Sequence, residues 1–438
     1  MKRSVFRSRL RMAAAVLSAG VALPLPLFAQ TVPDTLFQEQ DRDLLARGDD
    51  RFTLPVPERF QPEGIRAGAF LISPDLALDG LFDSNVFARD DARNDVSLIA
   101  APRLRIRSLS QSYTLDSYVS AQVDRHDRFK TENVESIAAG MLLRKPFGNS
   151  LVTSLRIEGG TFVEDRAAQL ATNDNLTPVE YDRVSGRASA SILAGRLVVN
   201  GWFGLDRRAY RNTLRRSDPT QVFIQTDRDV TQYNPALEVG YTLAPSTLLY
   251  GGFEYNKRDF DFTPPPGSLL PSRDSDGYVV YGGARFQPSA LTRLDFALGY
   301  QRQNYLAPFA DPSGLYVRAS FDWTPLRTVL VRIDGERSIS ETGALLLGGS
   351  TRTRIRGNAE YEVLRNLRLG FRAEYLNIDT AALPQNDRRI SGGATAEYRF
   401  NPNVSLRLRG DLLVSRPGQI ILEDFERARL SAGLQFRL

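Results

Sequence analysis

Apolar and polar side chains alternate strictly over the last twelve residues of the chain. Positions 428, 430, 432, 434, 436 and 438 are all apolar, whereas the positions between them and Arg427 are arginine, serine, glycine or glutamine. A period of two predicts an extended strand with one apolar face and one polar face. The pattern continues to the carboxyl terminus, where soluble domains usually fray. The last segment is therefore predicted to be an ordered strand.

The same alternation recurs almost without interruption from about residue 68. It is clear over 294–301 and 404–414, and weaker over 133–143. We count about eighteen such segments, each of roughly ten residues, with turn residues between them. A strand of that length rises about 33 Å and, when tilted by about 40°, spans about 25 Å.

The polar face carries arginine or a carboxylate at about every second position, so this face must contact water. The apolar face must then meet lipid or a very large core. A soluble β-sandwich or repeat protein is the alternative, but such folds rarely carry so much charge along every strand. The sequence therefore predicts an all-β protein, a transmembrane antiparallel up-and-down β-barrel of about 18 strands, closed by its final strand.

The connections alternate between short and long. Short turns are expected near 194–196, 244–246 and 365–366, and longer loops near 211–229 and 257–274. In outer-membrane barrels the short turns face the periplasm, so both termini are expected to be periplasmic. Aromatic residues near the strand ends should form two interfacial girdles: Phe286, Phe321, Trp323, Tyr361 and Phe400 on one rim, and Tyr255, Tyr278, Tyr300 and Tyr375 on the other.

The first 29 residues have the features of a secretory signal. Five basic residues precede the apolar stretch 12–28, and Ala29 is the expected cleavage site. An uncleaved anchor is the alternative. Residues 30–65 contain four prolines and are expected to be a flexible periplasmic segment, which leaves 66–438 for the barrel.

Removal of this leader changes the charge of the protein. The formal net charge of +5 falls to zero, because the leader holds five basic and no acidic residues. The composition therefore gives no argument for binding nucleic acid. The chain has no cysteine, which excludes disulfides and thiolate sites. Nearly all its basic residues are arginine, which reflects either genomic base composition or a pore wall built from guanidinium groups.

The strand pattern predicts which charged side chains line the lumen. The set is Arg103, Arg105, Arg107, Arg156, Glu238, Arg318, Arg332, Asp334, Arg354, Arg356, Glu360, Arg372, Glu374, Glu397, Arg407 and Arg409. Eighteen strands are wide enough for an aqueous channel, whose field would select polar or charged solutes. The alternative is a wall of paired charges around a plugged or narrow lumen.

The long loop 163–183 contains five acidic residues. We expect it to fold inward and to narrow the channel opposite the arginine wall. The alternative is a mobile external loop.

Other candidate sites are weak. His126 lies between Asp124 and Asp127, and such a pair could serve a hydrolase, but a solvated histidine in a charged loop is the simpler reading. Asp83, Ser84 and Asn85, with Asp90, Asp91 and Asp95, could hold a hard cation, but they lack EF-hand spacing and a solvated loop is the alternative. No catalytic residue, metal or cofactor is expected.

Residues 64–76 and 82–87 resemble the first strand and first loop of the β-barrel porin type 2 family of Gram-negative outer membranes. The likeness is sharpest over 64–107 and continues as a strand pattern to the end. The resemblance implies location and fold, with no settled substrate and no catalytic residues. Leu434, Phe436 and Leu438 are the expected assembly signal, although Leu438 stands where such barrels commonly end in phenylalanine.

The function expected from these features is passive diffusion of small hydrophilic solutes through a charged lumen. The alternative is a structural or accessory barrel linked to surface polysaccharide export or envelope integrity. The expected partners are outer-membrane lipid and lipopolysaccharide, the insertion machinery and the solutes. The oligomeric state does not follow from the sequence.

Overall fold

The computed structural model describes residues 54–167, 174–262, 272–341, 348–380, 386–417 and 424–438. The signal sequence and residues 30–53 lie outside this part of the chain. No helix within these ranges has the length and apolar composition needed to cross a membrane. The described strands are β1 (Ile65–Ala67), β2 (Phe70–Asp83), β3 (Asp95–Ser108), β4 (Thr114–His126), β5 (Val134–Phe147), β6 (Leu151–Val163), β7 (Glu180–Ala194), β8 (Leu197–Tyr210), β9 (Thr213–Leu214), β10 (Val222–Phe223), β11 (Val230–Ala244), β12 (Thr247–Phe260), β13 (Ser275–Ser289), β14 (Thr292–Tyr305), β15 (Ser313–Leu326), β16 (Val329–Ser340), β17 (Ser350–Leu364), β18 (Leu367–Thr380), β19 (Asp387–Arg399), β20 (Val404–Arg416) and β21 (Phe425–Arg437).

Eighteen long strands form one closed antiparallel barrel, which confirms the predicted fold class. Each long strand pairs with the next along the chain, and β21 pairs with β2 to close the sheet. At this seam Leu434 lies opposite Leu78, Phe436 lies opposite Leu76, and the Leu438 amide donates to the Pro74 carbonyl at 3.1 Å. The three remaining strands are short: β1 folds back on β2, while β9 and β10 form a hairpin between β8 and β11. Among the described residues, each long strand is paired on both sides.

The two faces of the sheet have opposite polarity, and their burial is the reverse of that in a soluble protein. On β14, Phe296 and Leu298 are 46 % and 43 % exposed, whereas the alternate residues Asp295 and Ala297 are 4 % and 0 % exposed. The same contrast recurs on the other long strands among the described residues. The exposed apolar face is therefore the outer surface, which meets hydrocarbon, and the polar face lines the interior.

Both ends of the barrel follow the predicted arrangement. Short turns join the strands at one end of the barrel, where β2 also begins and β21 also ends. Longer connections join the strands at the opposite end. The predicted girdle aromatics lie at these ends: Phe321 and Trp323 stack at 6.4 Å near the short turns, and Tyr278 and Tyr300 approach to 6.3 Å near the long loops. The long strands contain 12 to 15 residues, so the predicted length of about ten was too short. They extend past the apolar band into the aqueous rims.

Tyrosine rings on the interior face lie across glycines of the neighbouring strand. Tyr250 on β12 is in register with Gly283 on β13, and Tyr281 is in register with Gly252. A Cβ atom at Gly283 would lie 2.5 Å from both the Tyr250 ring and the Phe296 carbonyl oxygen. Only glycine leaves the space for this packing. The tyrosines pack with Tyr316 and Ala297 against the wall, so they stiffen this side of the barrel.

We expect Gly283→Ala to destabilise the barrel by about 1–3 kcal/mol, because the added methyl group overpacks against backbone and ring. Gly282→Ala is the matched control. A Cβ atom at Gly282 would lie on the outer face, and its nearest neighbour would be the Tyr250 carbonyl oxygen at 3.9 Å. The control should change stability by less than about 0.5 kcal/mol. Urea unfolding of the protein in lipid vesicles measures both. Equal stability of the two variants would contradict this packing.

Candidate channel lumen

The interior wall is a network of arginines and carboxylates that crosses several strands. Arg318 on β15 lies 3.7 Å from Glu238 on β11 and donates to the Tyr250 hydroxyl at 3.4 Å. Tyr281 also donates to Glu238, at 3.2 Å. These side chains come from strands that are up to four places apart, so they meet only on the concave face of the barrel. The wall is preorganised by charge-assisted hydrogen bonds.

The structure places all the predicted lumen residues on the interior face. Several form ion pairs there: Arg105 with Asp116, Arg332 with Asp322, Arg354 and Arg356 with Glu374, Glu360 with Arg368, Arg372 and Arg409 with Asp411, Glu397 with Arg399 and Arg437, and Arg407 with Asp79. Arg103 lies over the Tyr118 ring at 4.8 Å and Arg107 is 4.0 Å from Asp116. Arg156 and Asp334 occupy the same face of β6 and β16.

The loop after β6 enters the lumen and contacts the wall far from its own strand. Asp165 accepts hydrogen bonds from Arg427 at 2.8 Å and Arg429 at 3.3 Å on β21, and Arg389 on β19 donates to the Ala167 carbonyl. Around the barrel, β6 is five strands from β21 and seven from β19. In an eighteen-strand barrel these contacts reach almost to the opposite wall. The described part of the loop thus lies inside, as its acidic composition suggested.

Electrostatics favour this position of the loop. Burial alone would raise the pKa of the Asp165 carboxyl, but the charges of Arg427 and Arg429 hold it below its usual range. The carboxylate therefore stays ionised at neutral pH and keeps its contact with β21. We call Asp165, Arg427 and Asp83, which accepts from Arg427 at 2.6 Å, the loop latch.

Other loops at the same end hold the base of this loop. Arg166 forms a two-point contact with Glu132 at 2.9 and 2.7 Å, and both side chains are buried. Arg228 pairs with Glu164 at 2.6 Å, and its guanidinium lies 4.1 Å above the Tyr210 ring. The described segments of three connections are thereby joined at the long-loop end. These contacts fix the described base of the loop.

The N-terminal segment occupies the other end of the lumen. Leu54 packs against Leu330 on the interior face of β16, and Arg368 on β18 donates to the carbonyls of Leu54 and Pro55 at 2.8 and 3.0 Å. Phe60 is also buried. Since the barrel starts at β2, four strands from β18, this segment crosses the mouth at the short-turn end. The proline content of 30–65 predicted a flexible segment, so the contacts of Leu54 and Pro55 with the wall were not expected from the sequence.

We expect the double substitution Leu54→Ser, Phe60→Ser to release this segment, because each buried apolar side chain contributes about 1.5–3 kcal/mol. Trypsin should then cut after Arg59 faster than in the parent protein, and single-channel conductance should rise. Glu58→Ser with Arg66→Gln serves as the control, since both side chains are exposed and the Arg59 cleavage site remains. Unchanged cleavage in the Leu54, Phe60 variant would show that the segment is not held in the mouth.

His126 is buried at the end of β4, where its contacts stabilise the local fold. Its Nδ1 lies 3.3 Å from Asp95 Oδ2, and Asp95 also accepts the backbone N–H groups of Arg128 and Phe129 at 3.0 Å each. The cluster therefore fixes the turn after β4. Among the described residues, no group of three or more histidines, cysteines or carboxylates has the geometry to hold a metal ion. Asp83, considered above as a cation ligand, is engaged by Arg427.

Three arginines of the wall, Arg389, Arg427 and Arg429, are not among the lumen residues predicted from the sequence. All three have the interior parity of their strands, so alternation alone could have placed them on the wall. Their contacts, from Arg427 and Arg429 to Asp165 and from Arg389 to the Ala167 carbonyl, have no sequence signal, because they join residues more than 200 positions apart.

The chain is similar to one protein-family model and to several solved structures. A family model described as Putative beta-barrel porin 2 matches residues 57–438. No curated protein matches the chain. Solved structures that resemble it include OccK5 (OpdH) of Pseudomonas aeruginosa, with 10% identity, a TM-score of 0.42 and coverage of 84% of this chain and 98% of that chain. OpdK of the same organism has 12% identity, a TM-score of 0.44 and coverage of 84% and 99%. The siderophore receptor PirA of Acinetobacter baumannii has 8% identity, a TM-score of 0.43 and coverage of 83% and 80%.

The family model includes every long strand of the barrel and most of the chain. Family and fold together place the protein in the outer membrane. The chain thus belongs to the family described as Putative beta-barrel porin 2 and is a porin-like outer-membrane β-barrel.

Proposed function

We propose that the protein is a channel for passive diffusion of small hydrophilic solutes across the outer membrane. The observation that carries this proposal is the closed eighteen-strand barrel with a charged interior face. Barrels of 16 to 18 strands are wide enough to hold a water-filled path. Charged walls make such a path favourable for polar solutes and unfavourable for apolar ones. The sixteen predicted lumen residues would line this path.

The proposed orientation puts the short turns and both termini in the periplasm and the long loops outside the cell. In this orientation the loop after β6 narrows the path from outside and residues 54–62 narrow it from the periplasm. Outer-membrane lipid and lipopolysaccharide would contact the apolar face. The insertion machinery would bind the terminal strand, where Leu434, Phe436 and Leu438 lie on the outer face and are 40 %, 39 % and 50 % exposed.

We propose no enzymatic role and no cofactor. The only histidine is buried beside Asp95, which is committed to backbone N–H groups. Replacing His126 by glutamine should leave solute flux unchanged once the protein is folded. Loss of a hydrolytic activity in that variant would favour an enzyme instead.

The second candidate is a structural or accessory barrel for surface polysaccharide export or envelope integrity. It is favoured by the segments that enter the lumen from both ends, since a blocked barrel would not conduct. Planar-bilayer recordings and liposome swelling with sugars of graded size distinguish the two. The channel function predicts steady conductance and faster swelling with the smaller sugars. Absence of both in correctly folded protein would favour the accessory role.

A further inference from the structure

Seven arginines lie close together on the interior face of five consecutive strands, β17 to β21. We call them the arginine belt: Arg354, Arg356, Arg372, Arg389, Arg409, Arg427 and Arg429. Register places them in four successive interior rows of these strands. Arg356 lies opposite Glu374, the next row runs from Arg372 through Gly393 and Asp411 to Arg429, and Arg354 shares its row with Arg389. The belt is also where the inward loop meets the wall, through Arg389, Arg427 and Arg429.

The belt has more arginines than carboxylates. Arg354 and Arg356 share Glu374, at 3.9 and 3.2 Å, and Arg372 and Arg409 share Asp411. Asp83 and Asp165 serve Arg427 and Arg429. Seven guanidinium groups therefore face four carboxylates within the described residues. The row toward the long loops adds Arg352 and Asp387, one charge of each sign. Glu360 shares the row of Arg409 but pairs with Arg368, a further arginine.

This excess is local. The interior faces of β2 to β8 carry equal numbers of arginines and carboxylates, and those of β11 to β16 carry slightly more carboxylates than arginines. A positive field thus acts from one side of the lumen, at the level where the loop narrows it. Low-dielectric walls focus such a field on solutes that pass.

The belt is also rigid. Gly393 lies beneath the Arg372–Asp411 pair, and a Cβ atom there would collide with the Asp411 carboxylate and lie 3.0 Å from Arg372 Nε. The pair therefore lies against the backbone of β19. Fixed guanidinium groups bind planar or tetrahedral oxyanions through two parallel N–H bonds with little loss of side-chain entropy.

We propose that the arginine belt is a selectivity site for small solutes with two or more negatively charged oxygen groups, either carboxylates or phosphates. The inference rests on the proposed channel function and adds the class of solute. A polyanion can contact neighbouring arginines that converge on one carboxylate, as Arg372 and Arg409 do at Asp411. It would pass the narrow section faster than a cation of the same size.

The test uses the full mature protein in planar bilayers. The variant is Arg356→Gln, Arg372→Gln, which removes two belt charges but leaves Glu374 with Arg354 and Asp411 with Arg409. The control is Arg105→Gln, Arg332→Gln, which removes two lumen arginines outside the belt. It likewise leaves Asp116 with Arg107 and Asp322 with Arg293. Reversal potentials in a KCl gradient give the anion-to-cation permeability ratio, and bi-ionic gradients of citrate and pyrophosphate compare the two oxyanion classes.

We expect the parent protein to prefer anions. The anion-to-cation permeability ratio should fall about three- to tenfold in the belt variant and change little in the control. A higher permeability of citrate assigns carboxylates, and a higher permeability of pyrophosphate assigns phosphates. Cation preference, or equal loss in both variants, would overturn the inference while leaving the channel intact. A folded protein that conducts no ion would overturn the channel function, and this inference with it.

Discussion

Replacing Arg427 by glutamine is expected to open the loop latch. With the loop still in place, the substitution would destabilise the barrel by about 3–5 kcal/mol. Arg427 contacts Asp83 at 2.6 Å and Asp165 at 2.8 Å, and its side chain is 9 % exposed. Without the guanidinium both carboxylates remain buried with much of their compensation gone, which costs more than the pair contributes when intact. Withdrawal of the loop relieves this cost, because Asp165 then regains water.

The readout is single-channel conductance together with urea unfolding. We expect the variant to conduct more, with larger current noise, and to unfold at lower urea concentration. Arg416→Gln is the matched control at the same rim, since Arg416 pairs with Asp424 and Glu426 but is 43 % exposed. Exposed pairs contribute about 0–1 kcal/mol, so this variant should behave like the parent. Parent-like conductance and stability in the Arg427 variant would mean that the loop is held by other contacts.

Placing arginine at Ile355 is expected to cost about 2–4 kcal/mol, because this position faces the hydrocarbon. Ile355 lies on the outer face of β17 and is 51 % exposed, between the interior residues Arg354 and Arg356. Asn358→Arg, three residues along the same strand but on the interior face, should cost less than about 1 kcal/mol. The same urea titration in vesicles measures both.

The reverse order of stabilities would contradict the assignment of faces on β17. Folded barrels change their mobility in gels on heating, whereas unfolded barrels do not. A variant that fails to insert is therefore detected by the absence of this change. Failure of Ile355→Arg alone would agree with the expected cost.

The alternation of apolar and polar residues sufficed to predict the barrel, because each long strand has one apolar face and one polar face over its whole length. Tyr278, Val280 and Phe286 on β13 and the terminal strand show the pattern directly, and each side of a pleated strand meets one solvent. Even the weak segment 133–143 corresponds to β5, where Gly140 accommodates the Tyr118 ring. Glycine and alanine carry little hydrophobic signal, so such strands are harder to detect from sequence.

The positions of the charged side chains on the interior wall followed from the same alternation, but their ion-pair partners did not. Arg356 and Glu374 are adjacent once register is known, and register follows from the turns between neighbouring strands. The loop latch joins residues that only the closed barrel brings together, and the burial of Leu54 depends on a path across the mouth. Neither contact leaves a periodic signal, so a structure was needed to find them.

Alternate residues of each long strand face water and lipid, and cysteine labelling of β17 can measure this alternation position by position. The chain has no cysteine, so each introduced thiol is the only one. Single cysteines at positions 355 to 360, in protein reconstituted in vesicles, are treated with a charged, membrane-impermeant thiol reagent. We predict that Arg356→Cys, Asn358→Cys and Glu360→Cys react, while Ile355→Cys, Gly357→Cys and Ala359→Cys react only after denaturation. Labelling without a period of two, or labelling of the odd positions in the folded protein, would show that the two faces of β17 do not meet different solvents.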